Sequence, residues 1–183
     1  MVKADMQRVF IGIPVDQQSQ LRINELLRPI KKLHQDVRWE PDSNWHLTLA
    51  FIGNTPVAEV DNLLQLFGDT YQQEQRFEFR LSTMTRFPGP SGRIVALVND
   101  PTEPLHKLFQ ITKTFLERNN VDLDLKQFRP HITLGRIKKA KHVKTNFDQK
   151  TDISLKVKKI TFYQCTQGES GSIYTAIIET WLN

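Results

Sequence analysis

His46-Leu47-Thr48-Leu49 and His131-Ile132-Thr133-Leu134 are two tetrapeptides of one design, His-apolar-Thr-apolar, set far apart in the chain. A β-strand sends alternate side chains to opposite faces. Each copy therefore reads as a strand that buries two apolar anchors on one face and presents an imidazole beside a hydroxyl on the other.

A shift of 85 positions superimposes the two motifs residue for residue. The same shift lays the apolar stretch around Phe10 on that around Val95, and Leu26 and Ile30 on Ile111 and Phe115. Strand, helix and motif recur in one order at one spacing, and a repeat of this kind decides the architecture. It implies two similar lobes related by a pseudo-two-fold axis, with a motif strand in each. Such an axis brings the histidines together where the lobes meet. Residues 1–183 are then one domain made of two lobes, a size ordinary for one domain.

The remaining elements follow from pattern. Val9 to Pro14 is a short buried strand. Asp16 caps a helix carrying Leu21, Leu26, Leu27, Ile30 and Leu33, with a kink or early end expected at Pro29. Val37 to Trp39 is extended, Pro41 to Asn44 is a turn, and the first motif strand runs from Trp45 to Ile52. A second helix covers Val57 to Tyr71. Strands are predicted over Phe77 to Phe87 and Arg93 to Val98, around a Pro88-Gly89-Pro90 loop. A third helix opens near Asp100-Pro101, and the second motif strand spans His131 to Ile137. Lys138 to Lys150 reads as a basic connection. Two final strands, Ile153 to Thr166 and Ser172 to Trp181, flank a hairpin turn at Gly168 to Gly171.

Hydrophobic residues make up 39% and charged residues 25%, which suits a globular protein with a real core. No apolar run approaches membrane-spanning length, so the cytoplasm is the expected address and no membrane partner is expected. The formal net charge of +5 favours an anionic partner only weakly. Cys165 is the one cysteine, set in a strand, and is expected to be a buried, inert thiol.

Opening a phosphodiester with water needs one proton taken from the nucleophile and one given to the leaving oxygen. A pair of histidines can divide that work near neutral pH, one neutral and one protonated. Thr48 and Thr133 can donate to the non-bridging oxygens, whose charge must be stabilised in the transition state. Neither motif contains a carboxylate, which speaks against a two-metal nuclease, and no metal or other cofactor is expected. His34, His106 and His142 stand outside any motif and are assigned no catalytic role.

The motif pair resembles the signature of the 2H phosphoesterase superfamily. Around it, Val37-Arg38-Trp39-Glu40-Pro41, Asn44-Trp45-His46 through Gly53, Phe87-Pro88-Gly89-Pro90 and Phe128-Arg129-Pro130-His131 are similar to the RNA 2′,3′-cyclic phosphodiesterase branch, formerly called 2′-5′ RNA ligase. The resemblance extends to Arg8 to Ile13 and Gly171 to Tyr174, so it covers essentially the whole chain. It implies an α+β, bilobal 2H phosphoesterase fold, two lobes of antiparallel sheet with flanking helices and the histidines in a central cleft. It implies metal-independent opening of a terminal 2′,3′-cyclic phosphate to a 2′-phosphate, on RNA ends such as those of tRNA fragments. His46 would be the proton donor and His131 the acceptor, an order the residues themselves do not fix. In some members the reaction runs backwards to join tRNA halves through a 2′-5′ linkage. No obligate protein partner is implied.

The resemblance also points to Arg136 as a phosphate contact, a role suited to the forked guanidinium. Strict alternation puts Arg136 on the face opposite His131, so it reaches the cleft only if the strand twists or bulges near Gly135. Phe51 holds the matching place after the first motif. Trp45 and Phe10 are candidates for stacking on a base, with core packing the preferred reading of both. The loop from Phe87 to Arg93 either borders the cleft, with Arg93 near phosphate, or is a plain hairpin loop. The run Arg136 to Lys144 is the clearest basic cluster, either an RNA track or a solvated surface. Two rival functions stay open. One keeps the histidines and takes a small cyclic nucleotide or an ADP-ribose cyclic phosphate. The other is an RNA-binding module without catalysis, against which the intact histidine and threonine of both motifs argue.

Overall fold

The computed structural model describes residues 5–121, 123, 128–138, 147–169 and 171–183. Strand β1 (Met6–Pro14) leads into helix α1 (Gln17–Leu33), then the short β2 (Val37–Trp39), a 3-10 turn at Asp42–Asn44 and the motif strand β3 (His46–Pro56). Helix α2 (Val57–Thr70) is followed by β4 (Phe77–Phe87), β5 (Ile94–Val98), α3 (Glu103–Arg118) and the second motif strand β6 (His131–Ile137). Strands β7 (Gln149–Val157), β8 (Lys159–Gly168) and β9 (Gly171–Trp181) complete the chain. The result is an antiparallel sheet with a few helices, an α+β fold.

The sheet order is β7-β4-β5-β6-β3-β1-β8-β9, and it reads outward in the same way from either side of the β6/β3 seam. On one side the motif strand β3 lies on β1, which lies on β8 and then β9; on the other β6 lies on β5, then β4, then β7. The shift of 85 therefore relates β1 to β5, α1 to α3 and β3 to β6 in space as well as in sequence. At the seam β3 and β6 share a single pair, Leu47 with Ile132. Farther along the same edge of β6, β2 takes over, pairing Trp39 with Gly135 and Val37 with Ile137. Gly135 is required there, because a Cβ would lie 2.6 Å from Val37 Cγ1 and 2.9 Å from Trp39 Cε3.

Leu47, Leu49, Ile132 and Leu134 are all buried in one continuous core. Full burial of such a side chain is worth about 1.5–3 kcal/mol, and a one-residue slip of either strand would turn all its anchors to solvent. The burial of the apolar positions thus fixes which way the histidines point.

Four expectations are corrected. The segment Ile153 to Thr166 is two strands rather than one. Ile153, Leu155 and Val157 are buried in one phase, but Ile160 and Phe162 in the other, so the chain breaks at Lys158 and crosses from β4 to β1 and β9. Helix α1 continues past Pro29 to Leu33, which rules out the early end but not a kink there. Pro29 and Glu25, the residue whose carbonyl loses its partner, are both exposed, so water can replace the missing bond. Of the apolar residues expected along α1, Leu21 and Leu33 are exposed, and Ile23 and Leu27 carry the burial. Cys165 is half-buried rather than buried. Residues 139–146, most of the basic run to Lys144, lie outside the described residues, as do His142 and, in the hairpin turn, Ser170.

Candidate active site

Both motifs alternate as their sequence demands. His46 and Thr48 are half-buried while Leu47 and Leu49 are buried, and His131, Ile132, Thr133 and Leu134 repeat that pattern. Antiparallel pairing of Leu47 with Ile132 sets the register across the seam. One residue to either side, His46 comes opposite Thr133 and His131 opposite Thr48, all on the face away from the core. Each imidazole thus has the other motif's hydroxyl as its cross-strand neighbour.

The two rings are held by the same device. His46 Nδ1 lies 2.7 Å from the carbonyl oxygen of Asn44, and His131 Nδ1 lies 2.9 Å from that of Arg129. A carbonyl only accepts, so each Nδ1 carries the proton and donates it. Each neutral ring then leaves the lone pair of Nε2 for chemistry. The loops that supply these carbonyls are anchored independently. Asn44 is buried and donates from Nδ2 to the carbonyl of Ser172, 2.8 Å away, which ties the β8–β9 hairpin to the first histidine. Gly12 on β1 allows close approach beside His46, since a Cβ there would lie 2.9 Å from the Leu47 carbonyl oxygen.

The surroundings differ. His46 is enclosed by three rings: Phe10 at 4.6 Å between centroids, Tyr174 edge-on at 5.0 Å and Tyr163 at 5.8 Å. Burial pulls its pKa down to about 4 against the hydrogen bond to Asn44, and the nearby His131 and Arg136 push it the same way. His131 stacks on Phe87 at 4.0 Å, and the Arg129 guanidinium carbon lies 4.9 Å from the centre of that ring. Burial lowers the pKa of His131 too, with further lowering by Arg129 and Arg136. Burial therefore favours the neutral form of both imidazoles.

Arg136 reaches this face through a β-bulge. Along β5, Ala96 pairs with Thr133 but Val95 pairs with Gly135, leaving Leu134 as the extra residue. Leu134 and Gly135 are both buried, and the alternation restarts one residue late with Arg136 exposed. The arginine thereby joins His131 and Thr133 on one face. The first motif strand does the same at the same place. Ile11 pairs with Ala50 and Gly12 with Thr48, so Leu49 is extra and Phe51 comes out on the histidine face, 46% exposed. Arg136 is steadied by Glu40, which accepts from Nε at 3.0 Å and is itself nearly buried.

Some sequence expectations find a definite place. Trp45 and Phe10 are buried, so neither offers a face to a base, and Phe10 serves as a wall of the His46 box. Arg93 donates to the carbonyls of Ile137 and Lys138 and so locks the end of β6. His34 ends α1 and packs on Phe147, and His106 sits on the exposed side of α3. Sequence reading gave no site role to Glu40, Asn44, Tyr163 or Tyr174. Glu40 and Asn44 flank a turn and Tyr174 follows a hairpin, so only their long-range partners reveal them. Among the described residues, no three His, Cys, Asp or Glu side chains gather as metal ligands, and no helix is long and apolar enough to cross a membrane.

Comparison with known proteins finds relatives in sequence and in fold. Residues 13–98 match the family model described as LigT like phosphoesterase. An RNA 2′,3′-cyclic phosphodiesterase of Thermotoga maritima is 25% identical over 176 residues, 94% of each chain. The Aquifex aeolicus protein of the same name is 25% identical over 194 residues, 96% of this chain and 97% of that one. The crystal structure of E. coli LigT complexed with 3′-AMP superimposes with a TM-score of 0.78 at 22% identity, covering 98% of this chain and 99% of that one, which establishes the common fold. By its match to that family model over residues 13–98 and its fold over nearly its whole length, the chain is similar to the LigT-like phosphoesterases.

Proposed function

We propose that this protein opens 2′,3′-cyclic phosphate ends of RNA to 2′-phosphomonoesters, with His46 and His131 as an acid–base pair. The observation that carries the reading is the paired lock on the two imidazoles, each Nδ1 donating to the carbonyl two residues back, with each ring set across from the other motif's threonine. The names of the Thermotoga and Aquifex relatives support the same substrate class.

Nε2 of His131 takes a proton from water as the oxygen attacks phosphorus. The bond from phosphorus to O3′ breaks, and His46, in its imidazolium form, gives its proton to O3′. The product carries a 2′-phosphate and a 3′-hydroxyl, and a proton returned from His131 to His46 through solvent resets the site. Burial makes His46 hard to protonate. An anionic phosphate beside it works against that lowering, because an opposite charge at close range favours imidazolium. The acid is thus armed by the substrate. Thr48, Thr133 and Arg136 donate to the non-bridging oxygens, where charge builds in the transition state. With an RNA 5′-hydroxyl in place of water, the same steps make a 2′-5′ linkage.

The test is incubation of an oligoribonucleotide ending in a 2′,3′-cyclic phosphate with the protein in EDTA, followed by identification of the new end. A 2′-phosphate that fails to form with His131→Ala is the expected result. A 3′-phosphate, or intact cyclic ends, contradicts the reading.

A further inference from the structure

A cavity of about 800 Å³ contains neither motif histidine but lies directly beside one of them. Its walls come from β4, the end of β5, the exposed side of α3 and residues 128–130. Three of its residues touch the surroundings of His131. Val98 is the cross-strand partner of His131, Phe87 stacks on its ring, and Arg129 supplies the carbonyl that holds its Nδ1. Phe87 is therefore the wall shared by cavity and catalytic face.

The lining suits a polyanion with flat bases. Arg86, Lys113 and Arg129 face it, against Asp100 as the one carboxylate among the described lining residues. Lys113 also pairs with Glu117 one turn along α3 at 3.6 Å, an exposed pair of the weak kind that a phosphate can replace. Arg86 donates from Nε to the Gly92 carbonyl, which holds its stem in place. The half-buried Phe128 is backed by the buried Phe109, stacked on it at 4.4 Å and 9°, and the exposed ring of His106 lies 6.1 Å from Phe109. Cations spread along a groove beside aromatic and imidazole rings are how single strands are held without regard to sequence. The volume falls within the range of roughly 300–1,000 Å³ seen for ligand sites.

We propose that this cavity holds the single-stranded RNA leading to the reacting end, the nucleotides on the 5′ side of the cyclic phosphate. This rests on the reading of the site as an RNA-end phosphodiesterase. The strand enters along α3, passes Lys113 and Arg129, and turns around Phe87 to deliver its last ribose to His131. The cavity then sets preference for RNA over free cyclic nucleotides, while the paired motifs do the chemistry.

The experiment compares kcat/KM for a tetraribonucleotide ending in a 2′,3′-cyclic phosphate with that for a nucleoside 2′,3′-cyclic phosphate. Wild type is expected to favour the tetranucleotide, and Lys113→Glu to cut that preference about tenfold, mainly through KM. Gln110→Glu, on the same exposed side of α3, is a second variant that adds negative charge to the lining while keeping Lys113. In a separate arm, fluorescence anisotropy follows a labelled oligoribonucleotide with an ordinary 3′-hydroxyl. There Lys113→Glu should weaken binding and lower the dependence of log K on log salt by about one. Equal kcat/KM of wild type for both cyclic substrates overturns the proposal and leaves the phosphodiesterase reading intact. So does an unmoved preference in both folded variants. If wild type opens neither substrate, the phosphodiesterase reading fails, and weakened RNA binding by Lys113→Glu still supports the cavity as an RNA site.

Discussion

The two motif strands are one backbone built twice with different chemistry mounted on it. Both carry a ring locked by the carbonyl two residues earlier, both bulge at the fourth motif residue, and both bring the residue two places later onto the histidine face. At that place the first half has Phe51 and the second Arg136. His46 sits in a box of three aromatic rings, whereas His131 has one ring and a guanidinium beside it. Part of the difference comes from segments that the 85-residue shift does not match. The β8–β9 strands bring Tyr163 and Tyr174 to the first histidine, and the stretch after β2 brings Glu40 to Arg136. A repeated scaffold thus carries an asymmetric candidate site without altering the scaffold itself.

The comparison breaks most visibly at the rings. His46→Ala and His131→Ala are each expected to lower kcat by about 10²–10⁴, measured on an RNA ending in a cyclic phosphate. Arg136→Ala should cost about 10² in kcat/KM, whereas Phe51→Ala, at the matching place, should change it by less than about threefold. Equal losses for these two would mean that the halves are not divided into a phosphate side and an apolar side. Glu40→Gln keeps the shape but removes the charge that steadies Arg136. A loss of about tenfold is expected, and it should vanish in the Arg136→Ala background if Glu40 acts through the arginine.

Titration sharpens the contrast further. Because burial is the main cause of the low pKa of His46, Tyr174→Ala should raise it from about 4 toward its ordinary 6.5, read by NMR of the labelled ring. A pKa that stays low would locate the cause in Arg136 and His131 instead. The same shift has a consequence for stability. The unfolded chain binds a proton at His46 near pH 6.5, while the folded chain resists it until about pH 4, so the unfolded state holds more protons in between. Stability should fall as pH drops through that window, by roughly 3 kcal/mol from this ring alone, with His131 adding in the same direction. Denaturant unfolding of His46→Gln should show a flatter profile between those limits.

Much of this was legible in the sequence. The alternation of His46 to Leu49 and of His131 to Leu134 fixes which residues are buried, and the 85-residue shift anticipates the matched strands and helices. Arg136 was the harder case, because two-residue alternation gives the wrong face. The bulge that corrects it follows from pairing with Val95 and Ala96, and no local pattern in β6 announces it except the glycine. The break at Lys158 was visible in principle, since the apolar phase slips there from odd to even positions. Glu40, Asn44, Tyr163 and Tyr174 were not legible as site residues. Each acts through a partner in a distant segment, as Glu40 does 96 positions from Arg136 and Asn44 does 128 from Ser172. Sequence periodicity reports on the faces of an element, whereas these contacts depend on which elements meet.

The most direct test of the account is a double-mutant cycle on the two histidines, with kcat measured on an RNA ending in a 2′,3′-cyclic phosphate. If the rings act as one acid–base pair, His46→Ala/His131→Ala should be little worse than either single variant, because losing one member already disables the other. If the two losses multiply, or if either single variant keeps most of the wild-type rate, the histidines are not a pair and the central claim is wrong.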